Sequence, residues 1–120
     1  MEPLDGGRIL VANEPRTYRE ALTLAVRAER PLLDVRTVDP ADLDREVARC
    51  RPALVVCSEL SPTVELRSAI WVLLYPEGAR LAVVGDGEAP AVTGDLDLPG
   101  ILDLVDRAVR RLPSLVTAAW

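Results

Sequence analysis

The stretch Pro52-Ala53-Leu54-Val55-Val56-Cys57-Ser58-Glu59-Leu60 decides the fold of this chain. Its apolar run is too short to span a membrane and is bounded by Pro52 and Pro62, so it predicts a fully buried central strand. Open α/β sheets place their chemistry in the crevice beyond the carboxyl ends of the strands. In this chain the polar group Ser58-Glu59, preceded by Cys57, stands at that end.

The residues before this strand predict a β-α-β-α-β order. Residues 8–12 are apolar, and residues 33–38 alternate apolar and polar side chains, as a strand at the edge of a sheet does. Between them a helix begins at Pro15, with Arg19 assigned to its polar face, and Asp39-Pro40 opens a second helix. Short connections of this kind predict parallel strands joined by helical crossovers. We therefore expect a three-layer α/β domain with a doubly wound, mostly parallel sheet.

The second half of the chain permits two topologies. Two apolar runs separated by a turn that contains Pro76 and Gly78 favour a β-hairpin over residues 71–84. The alternative extends a helix over residues 61–75 and makes residues 81–84 a fourth parallel strand. A buried helix and a buried strand have similar sequence patterns here, so both topologies stay open.

The boundaries of the domain follow from glycine, proline and the apolar pattern. Residues 1–7 are a loose leader, residues 8–112 form the domain, and residues 113–120 are an apolar C-terminal tail. A short strand is expected around 91–93. The last helix begins at Asp97-Leu98-Pro99 and is expected to stop at Pro113.

Composition argues against several functions. A chain of 120 residues, 49% of them apolar, folds as one domain, and its net charge of −5 argues against a nucleic-acid surface. No apolar run approaches ~20 residues and no secretory signal is recognised, so we expect no membrane association. Cys50 and Cys57 fit free thiols in a reducing cytoplasm, and the absence of His argues against structural zinc. We expect a cytoplasmic protein without a cofactor.

Two segments resemble the receiver domain of bacterial response regulators. Residues 8–15, RILVANEP, are similar to the opening strand and acidic pair of that family. Residues 51–58, RPALVVCS, are similar to the strand that ends in its phosphorylated Asp. The resemblance covers residues 8 to about 60, and the last helix matches in position. It implies a flavodoxin-type, receiver-like fold and a role in signal transduction.

The chain departs from the receiver pattern at the positions that carry phosphotransfer. Receivers hold Mg²⁺ with an acidic pair and the acceptor Asp, and a hydroxyl residue and a Lys contact the phosphoryl group. Here the pair is Asn13-Glu14, the acceptor position is Ser58, and all fourteen basic residues are Arg. If residues 81–84 are the fourth strand, Gly85 takes the hydroxyl position. The resemblance therefore implies a pseudo-receiver without Asp phosphorylation, in which Glu14 is a weak Mg²⁺ candidate.

We expect these positions to form a remnant pocket rather than an active site. Its members are Asn13, Glu14, Ser58, Glu59 and Gly85. None is expected to be catalytic, because a serine nucleophile in a chain without His would have to rely on a carboxylate base. The expected function is a non-enzymatic signalling module that docks to a protein partner or to itself. The alternative is a protein that binds a small molecule or nucleotide in the same crevice.

Three aromatic residues of the second half are candidates for an interface. Trp71, Tyr75 and Trp120 stand among apolar neighbours, and aromatic side chains are enriched in interface cores. They predict a homodimer, or alternatively they close the lower part of the core. Cys57 is interpreted as a small buried apolar residue rather than a redox sensor.

Overall fold

The computed structural model describes residues 8–76, 79–87 and 89–118, and over 111–118 it describes the backbone alone. The described residues form a mixed six-stranded sheet in the order β2-β1-β3-β4-β5-β6. Its strands are β1 (Arg8–Ala12), β2 (Asp34–Thr37), β3 (Leu54–Cys57), β4 (Ile70–Leu74), β5 (Ala82–Gly85) and β6 (Ala91–Thr93). The first four strands are parallel, and β5 and β6 each run antiparallel to the preceding strand. The predicted α/β class is confirmed.

Helices cover both faces of the sheet. They are α1 (Arg16–Glu29), α2 (Leu43–Cys50), α3 (Pro62–Arg67) and α4 (Leu98–Ala118). Side chains of α1 and α4 share one apolar core with Ile9 and Val11 of β1, whereas α2 and α3 share a second core with Leu10 and Ala12 of the same strand. This division follows from the alternation of side chains along a strand. The sheet is therefore the middle of three layers.

The stretch that decides the fold is the strand β3, which lies between β1 and β4. All four of its residues are at most 1% exposed. Leu54 and Val56 pack under α1 and α4, and Val55 and Cys57 pack under α2 and α3. Because β3 is buried on both faces, its sequence does not alternate between apolar and polar residues. The predictions of a central β3 and of an edge strand at β2 are confirmed.

Side-chain caps fix where the helices on one face begin. Asp39 accepts a hydrogen bond from the Ala41 backbone N–H at 2.9 Å and opens a 3₁₀ turn, Pro40–Asp42, that leads into α2. Ser61 caps α3 by accepting from the Val64 N–H at 3.2 Å. Both caps satisfy donors that a helix start leaves free. On the other face, α1 begins at Arg16, one residue later than predicted, because Pro15 has extended backbone angles and takes the cap position.

The β-hairpin prediction for the second half is confirmed, and the alternative is wrong. Helix α3 ends at Arg67, and β4 and β5 pair antiparallel with Trp71 opposite Gly85. The pairing continues into β6, where the sequence predicted a short strand. The helix alternative fails because 70–74 supplies apolar side chains to both faces of the sheet, which a strand permits.

The last helix is longer than the sequence predicted. The backbone of α4 continues through Pro113 to Ala118, so the predicted stop at Pro113 is wrong. The fixed φ of a proline is itself compatible with a helix, although inside one the proline loses an N–H···O bond and its ring crowds the carbonyl four residues earlier. The leader 1–7 and residues 119–120 of the predicted tail lie outside the described residues. Among the described helices, none combines the length and apolar character needed to cross a bilayer.

Candidate functional site

The carboxyl ends of β1, β3 and β4 bring together residues that are far apart in sequence. Ala12 pairs with Cys57, and Cys57 pairs with Leu73, so the residues that follow these strands meet at one edge of the sheet. Asn13 and Ser58 thus become neighbours across 45 positions of sequence. This is the edge at which open α/β sheets place ligands.

Asn13 links the three strands at this edge. Its Nδ2 donates to Ser58 Oγ at 3.2 Å and to the Leu74 backbone carbonyl at 3.1 Å. Ser58 Oγ also accepts from the Glu14 backbone N–H at 2.9 Å. Asn13 is 1% exposed, so this network replaces water in a buried setting. We call the hydrogen-bonded set Asn13, Ser58, Glu14 N–H and Leu74 C=O the edge network.

Arg19 supplies a buried cation beside the edge network. Its guanidinium donates to the Asn13 backbone carbonyl at 3.3 Å and lies 3.6 Å from Glu14 Oε2. Although the sequence analysis placed Arg19 on the polar face of α1, that assignment is wrong, because the residue is 7% exposed. Its spacing from Leu22 and Val26, three and seven positions on, was the signal that it shares their buried face.

Two buried polar atoms at this edge have no hydrogen-bond partner in the described part of the chain. They are Asn13 Oδ1, an acceptor, and Arg19 Nε, a donor. The Asn13 amide orientation is fixed, since its nitrogen must face the Leu74 carbonyl. Buried polar groups are normally satisfied, often by an ordered water. The edge therefore retains hydrogen-bonding capacity that the chain does not use.

A cleft of about 770 Å³ opens beside the edge network, on the face covered by α2 and α3. Its polar lining includes Glu14, Ser58 and Glu59 of the predicted pocket, together with Asp44 and Ser61. Ser61 Oγ donates to Asp44 Oδ1 at 2.5 Å, which ties the start of α3 to α2. Of the five residues predicted to form the remnant pocket, the structure brings Asn13, Glu14, Ser58 and Glu59 to this edge of the sheet.

Gly85 does not belong to this pocket, and its assignment is corrected. Because β5 is antiparallel, Gly85 pairs with Trp71, whereas Leu74 at the carboxyl edge pairs with Ala82. Three residues of strand separate these levels, about 10 Å. Gly85 serves the fold instead. A Cβ at this position would lie 2.1 Å from Trp71 Cε2, so only glycine leaves room for the indole.

The three aromatic residues predicted to form an interface differ in where they lie. Trp71 is 7% exposed and packs into the core shared with α2 and α3, so it is not a surface anchor. Tyr75 is half-buried, donates from its hydroxyl to Asp95 Oδ1 at 2.5 Å, and contacts the Tyr18 ring. Trp120 lies outside the described residues.

Cys57 lines the cleft but lacks the features of a reactive thiol. Burial raises the pKa of Cys57 to about 12, so the nucleophilic thiolate is scarce near neutral pH. Its Sγ lies 3.7 Å from the Val72 backbone carbonyl, to which it donates. Within the described ranges, no group of three or more Cys, Asp or Glu side chains is arranged to hold a metal ion. The edge thus offers hydrogen bonds and carboxylates.

Comparisons with known proteins do not assign a family or a function to this chain. No family model, no curated protein and no solved structure matches the chain.

Proposed function

We propose that the protein is a receiver-like signalling module that is not phosphorylated on Asp and acts by docking to a protein, in the first place to a second copy of itself. The edge network is the observation that supports the absence of Asp phosphorylation. Ser58 stands where the resemblance places the phosphorylated Asp, and its hydroxyl oxygen already accepts two hydrogen bonds. Neutral side chains, Asn13 and Ser58, thus occupy two of the three positions at which receivers carry carboxylates, and Glu14 keeps the third.

The strand order supports a receiver-like, doubly wound architecture. The order β2-β1-β3-β4 in parallel, with α1 on one face and α2 and α3 on the other, agrees with a flavodoxin-type arrangement over residues 8–74. The antiparallel β5 and β6 depart from it. The departure falls where the sequence resemblance also ends.

The geometry of α4 supports the docking surface. The helix begins near the carboxyl edge, where Leu98 packs against the core, and the Arg107 guanidinium lies 3.9 Å from the carboxylate of Asp86, which follows β5 at the opposite edge. From Arg107 to Ala118 the helix continues for about 16 Å, at 1.5 Å per residue. In sequence this segment stays apolar at helical spacing, with Leu112, Leu115 and Val116. A second copy of the same segment would cover it as an antiparallel helix pair.

Acetyl phosphate tests the absence of phosphotransfer. We expect no acid-stable or acid-labile ³²P on the purified chain in the presence of Mg²⁺, with a phosphorylatable receiver treated in parallel as the positive control. An acylphosphate that hydroxylamine removes would overturn this part of the proposal.

Light scattering tests the docking surface. We expect the full chain to have the mass of a dimer, and a chain cut after Leu112 to have the mass of a monomer with unchanged circular dichroism in its sheet bands. A monomer for the full chain at tens of micromolar would reject self-docking through α4.

The cleft beside the edge network favours a second candidate function, the binding of a small molecule. Its volume of about 770 Å³ lies within the range of ligand sites, roughly 300–1,000 Å³. Thermal unfolding with a panel of nucleotides, Mg²⁺ and metabolites separates the two functions. A ligand at a hundredfold excess over its Kd would stabilise the fold by about 2.7 kcal/mol, whereas a docking module gives no shift.

A further inference from the structure

A second pocket lies on the other side of Glu14, on the face covered by α1 and α4. It has a volume of about 650 Å³. Its lining residues are Glu14, Pro15, Tyr18, Tyr75, Arg80 and Asp95. They come from the start of α1, the turn between β4 and β5, and the loop before α4. We call it the tyrosine pocket.

The Tyr75 ring is held in a fixed orientation. Its hydroxyl donates to Asp95 Oδ1 at 2.5 Å and lies 3.3 Å from the Leu96 backbone carbonyl. Its backbone N–H donates to the Leu81 carbonyl at 2.9 Å. The residue has a φ of +54°, a left-handed conformation that is strained for a side chain of this size. Such strain persists only where the surroundings fix the conformation, and it recurs at binding sites.

Tyr18 and Tyr75 form two aromatic walls. Their ring centroids are 6.3 Å apart and their planes are tilted by 47°, the separation of two rings in direct contact, so a ligand ring would lie against the pair rather than between the rings. Burial and then the charge of Asp95 raise the pKa of Tyr18, and the hydrogen bond to Asp95 raises the pKa of Tyr75. The Asp95 carboxylate is hydrogen-bonded to the Tyr75 hydroxyl and lines the same pocket as Tyr18. Aromatic faces of this kind bind a planar ring by stacking and a cation by its charge.

The charges around the tyrosine pocket are of both signs. Glu14 and Asp95 contribute carboxylates, and Glu14 lies 3.6 Å from the buried Arg19 guanidinium. Arg80 is exposed and makes neither a hydrogen bond nor an ion pair with the described residues. A nucleotide fits this pattern poorly, because its phosphates would meet two carboxylates. A simple aromatic amine would not use the Arg80 guanidinium, whereas a ligand carboxylate can pair with it.

We propose that the tyrosine pocket binds an aromatic α-amino acid. The ring packs inside the pocket against Tyr18 and Tyr75, the ammonium group faces the carboxylates of Glu14 and Asp95, and the carboxylate pairs with Arg80. Each of the three groups of the ligand then meets a complementary group of the pocket. This site is separate from the docking surface on α4 and does not depend on it.

Isothermal titration with L-phenylalanine tests the site on the full chain. We expect saturable binding with one ligand per chain. We also expect no detectable heat from 3-phenylpropionate, which lacks the amine, from phenethylamine, which lacks the carboxylate, or from L-alanine, which lacks the ring. The variant Arg80→Gln should weaken binding at least about tenfold, because it removes one charge-assisted hydrogen bond.

Two further variants separate a binding role from a structural one. Tyr18→Leu keeps an apolar side chain against the core and should abolish binding, with folding checked by thermal melting. Arg67→Gln removes an equivalent exposed charge from α3 and should leave the affinity unchanged. No binding of L-phenylalanine at 10 mM rejects the proposal, and so does equal binding by phenethylamine. If Tyr18→Leu fails to fold, unchanged affinity in Arg80→Gln is sufficient to reject it.

Discussion

At the scale of single residues, Asn13 links the ends of three strands of the sheet. It donates across the edge of the sheet to Ser58 Oγ and to the Leu74 carbonyl while remaining 1% exposed. Its neutral amide can be buried at far lower cost than a carboxylate. Asn13 therefore contributes to the stability of the fold at this edge.

We predict that Asn13→Ala lowers the free energy of unfolding by about 1–3 kcal/mol, because it leaves the Leu74 carbonyl without its buried donor. Urea unfolding followed by circular dichroism measures this loss. Thr17→Ala, on the exposed first turn of α1, is the matched control and should change stability little. Equal stabilities for the two variants would show that the edge network is dispensable.

Gly85 and Gly94 differ in the space available for a side chain. A Cβ on Gly85 would lie 2.1 Å from the Trp71 ring, whereas a Cβ on Gly94 has nothing within 4 Å. Gly85→Ala should therefore destabilise the protein by about 1–3 kcal/mol, as overpacking of a core does. Gly94→Ala should be close to neutral. Thermal melting compares the two, and a smaller effect of Gly85→Ala in a Trp71→Leu background would locate the clash at the indole.

The two thiols should react at very different rates. Burial raises the pKa of Cys57 to about 12, so at pH 8 only about 1 in 10,000 molecules carries the thiolate. Cys50 is half-buried at the end of α2. We predict that Ellman's reagent modifies one thiol quickly in the native protein and two in guanidinium chloride. In Cys50→Ser the fast phase should vanish, and a retained fast phase would show that Cys57 is accessible.

At the scale of elements, the Asp34 side chain links β1 to β2 at the point where the two strands begin. Its carboxylate accepts from Arg8 Nε and from Arg36 Nε, both at 2.9 Å. Burial alone would favour the neutral carboxyl, but the hydrogen bonds from Arg36 and Arg8 outweigh it and hold the pKa of Asp34 below its ordinary value. A depressed folded-state pKa means that this stabilisation is complete above the ordinary pKa near 4 and is lost as pH falls through the folded value.

We predict that Asp34→Asn lowers stability at pH 7 by about 1 kcal/mol, the magnitude of a partly buried charge-assisted pair. The same variant should lose less stability than the parent when the pH is taken from 5 to 2. Urea titrations at several pH values measure both effects. Asp103→Asn removes one exposed charge from α4 and serves as the control. An identical acid response in parent and Asp34→Asn would contradict the assignment.

The hairpin is the element that sequence patterns could not settle. Residues 70–74 are apolar at every position, which fits a buried strand and a buried helix equally. Pairing with β3 on one side and β5 on the other satisfies the backbone groups of β4, and no local signal encodes those partners. The direction of β5 then decides that Gly85 lies far from Ser58.

At the scale of the whole molecule, the proposed self-docking through α4 would make stability depend on concentration. A dimer that dissociates on unfolding gains stability by mass action, so its melting temperature rises with protein concentration. We predict such a rise for the full chain between 2 and 200 μM and none for the chain cut after Leu112. Differential scanning calorimetry measures it. A melting temperature independent of concentration in both chains would exclude a dimer that is linked to folding.

The sequence by itself determined the features that depend on residues close together along the chain. The buried β3, the edge strand β2 and the helix start after Asp39 follow from apolar runs, alternation and capping chemistry, and each is confirmed. The resemblance to receivers also assigned Asn13 and Ser58 to one pocket. The two residues meet at the carboxyl edge because the parallel strands β1 and β3 align their ends.

Only the tertiary structure decided which distant groups meet. It placed Gly85 under Trp71, buried Arg19 beside Asn13, and brought Tyr18, Tyr75 and Asp95 into one pocket. These contacts depend on the direction of β5 and on the packing of α1 and α4 against one face of the sheet. Strand pairing and helix packing depend on how much apolar surface the whole chain buries. A short sequence pattern does not contain that information.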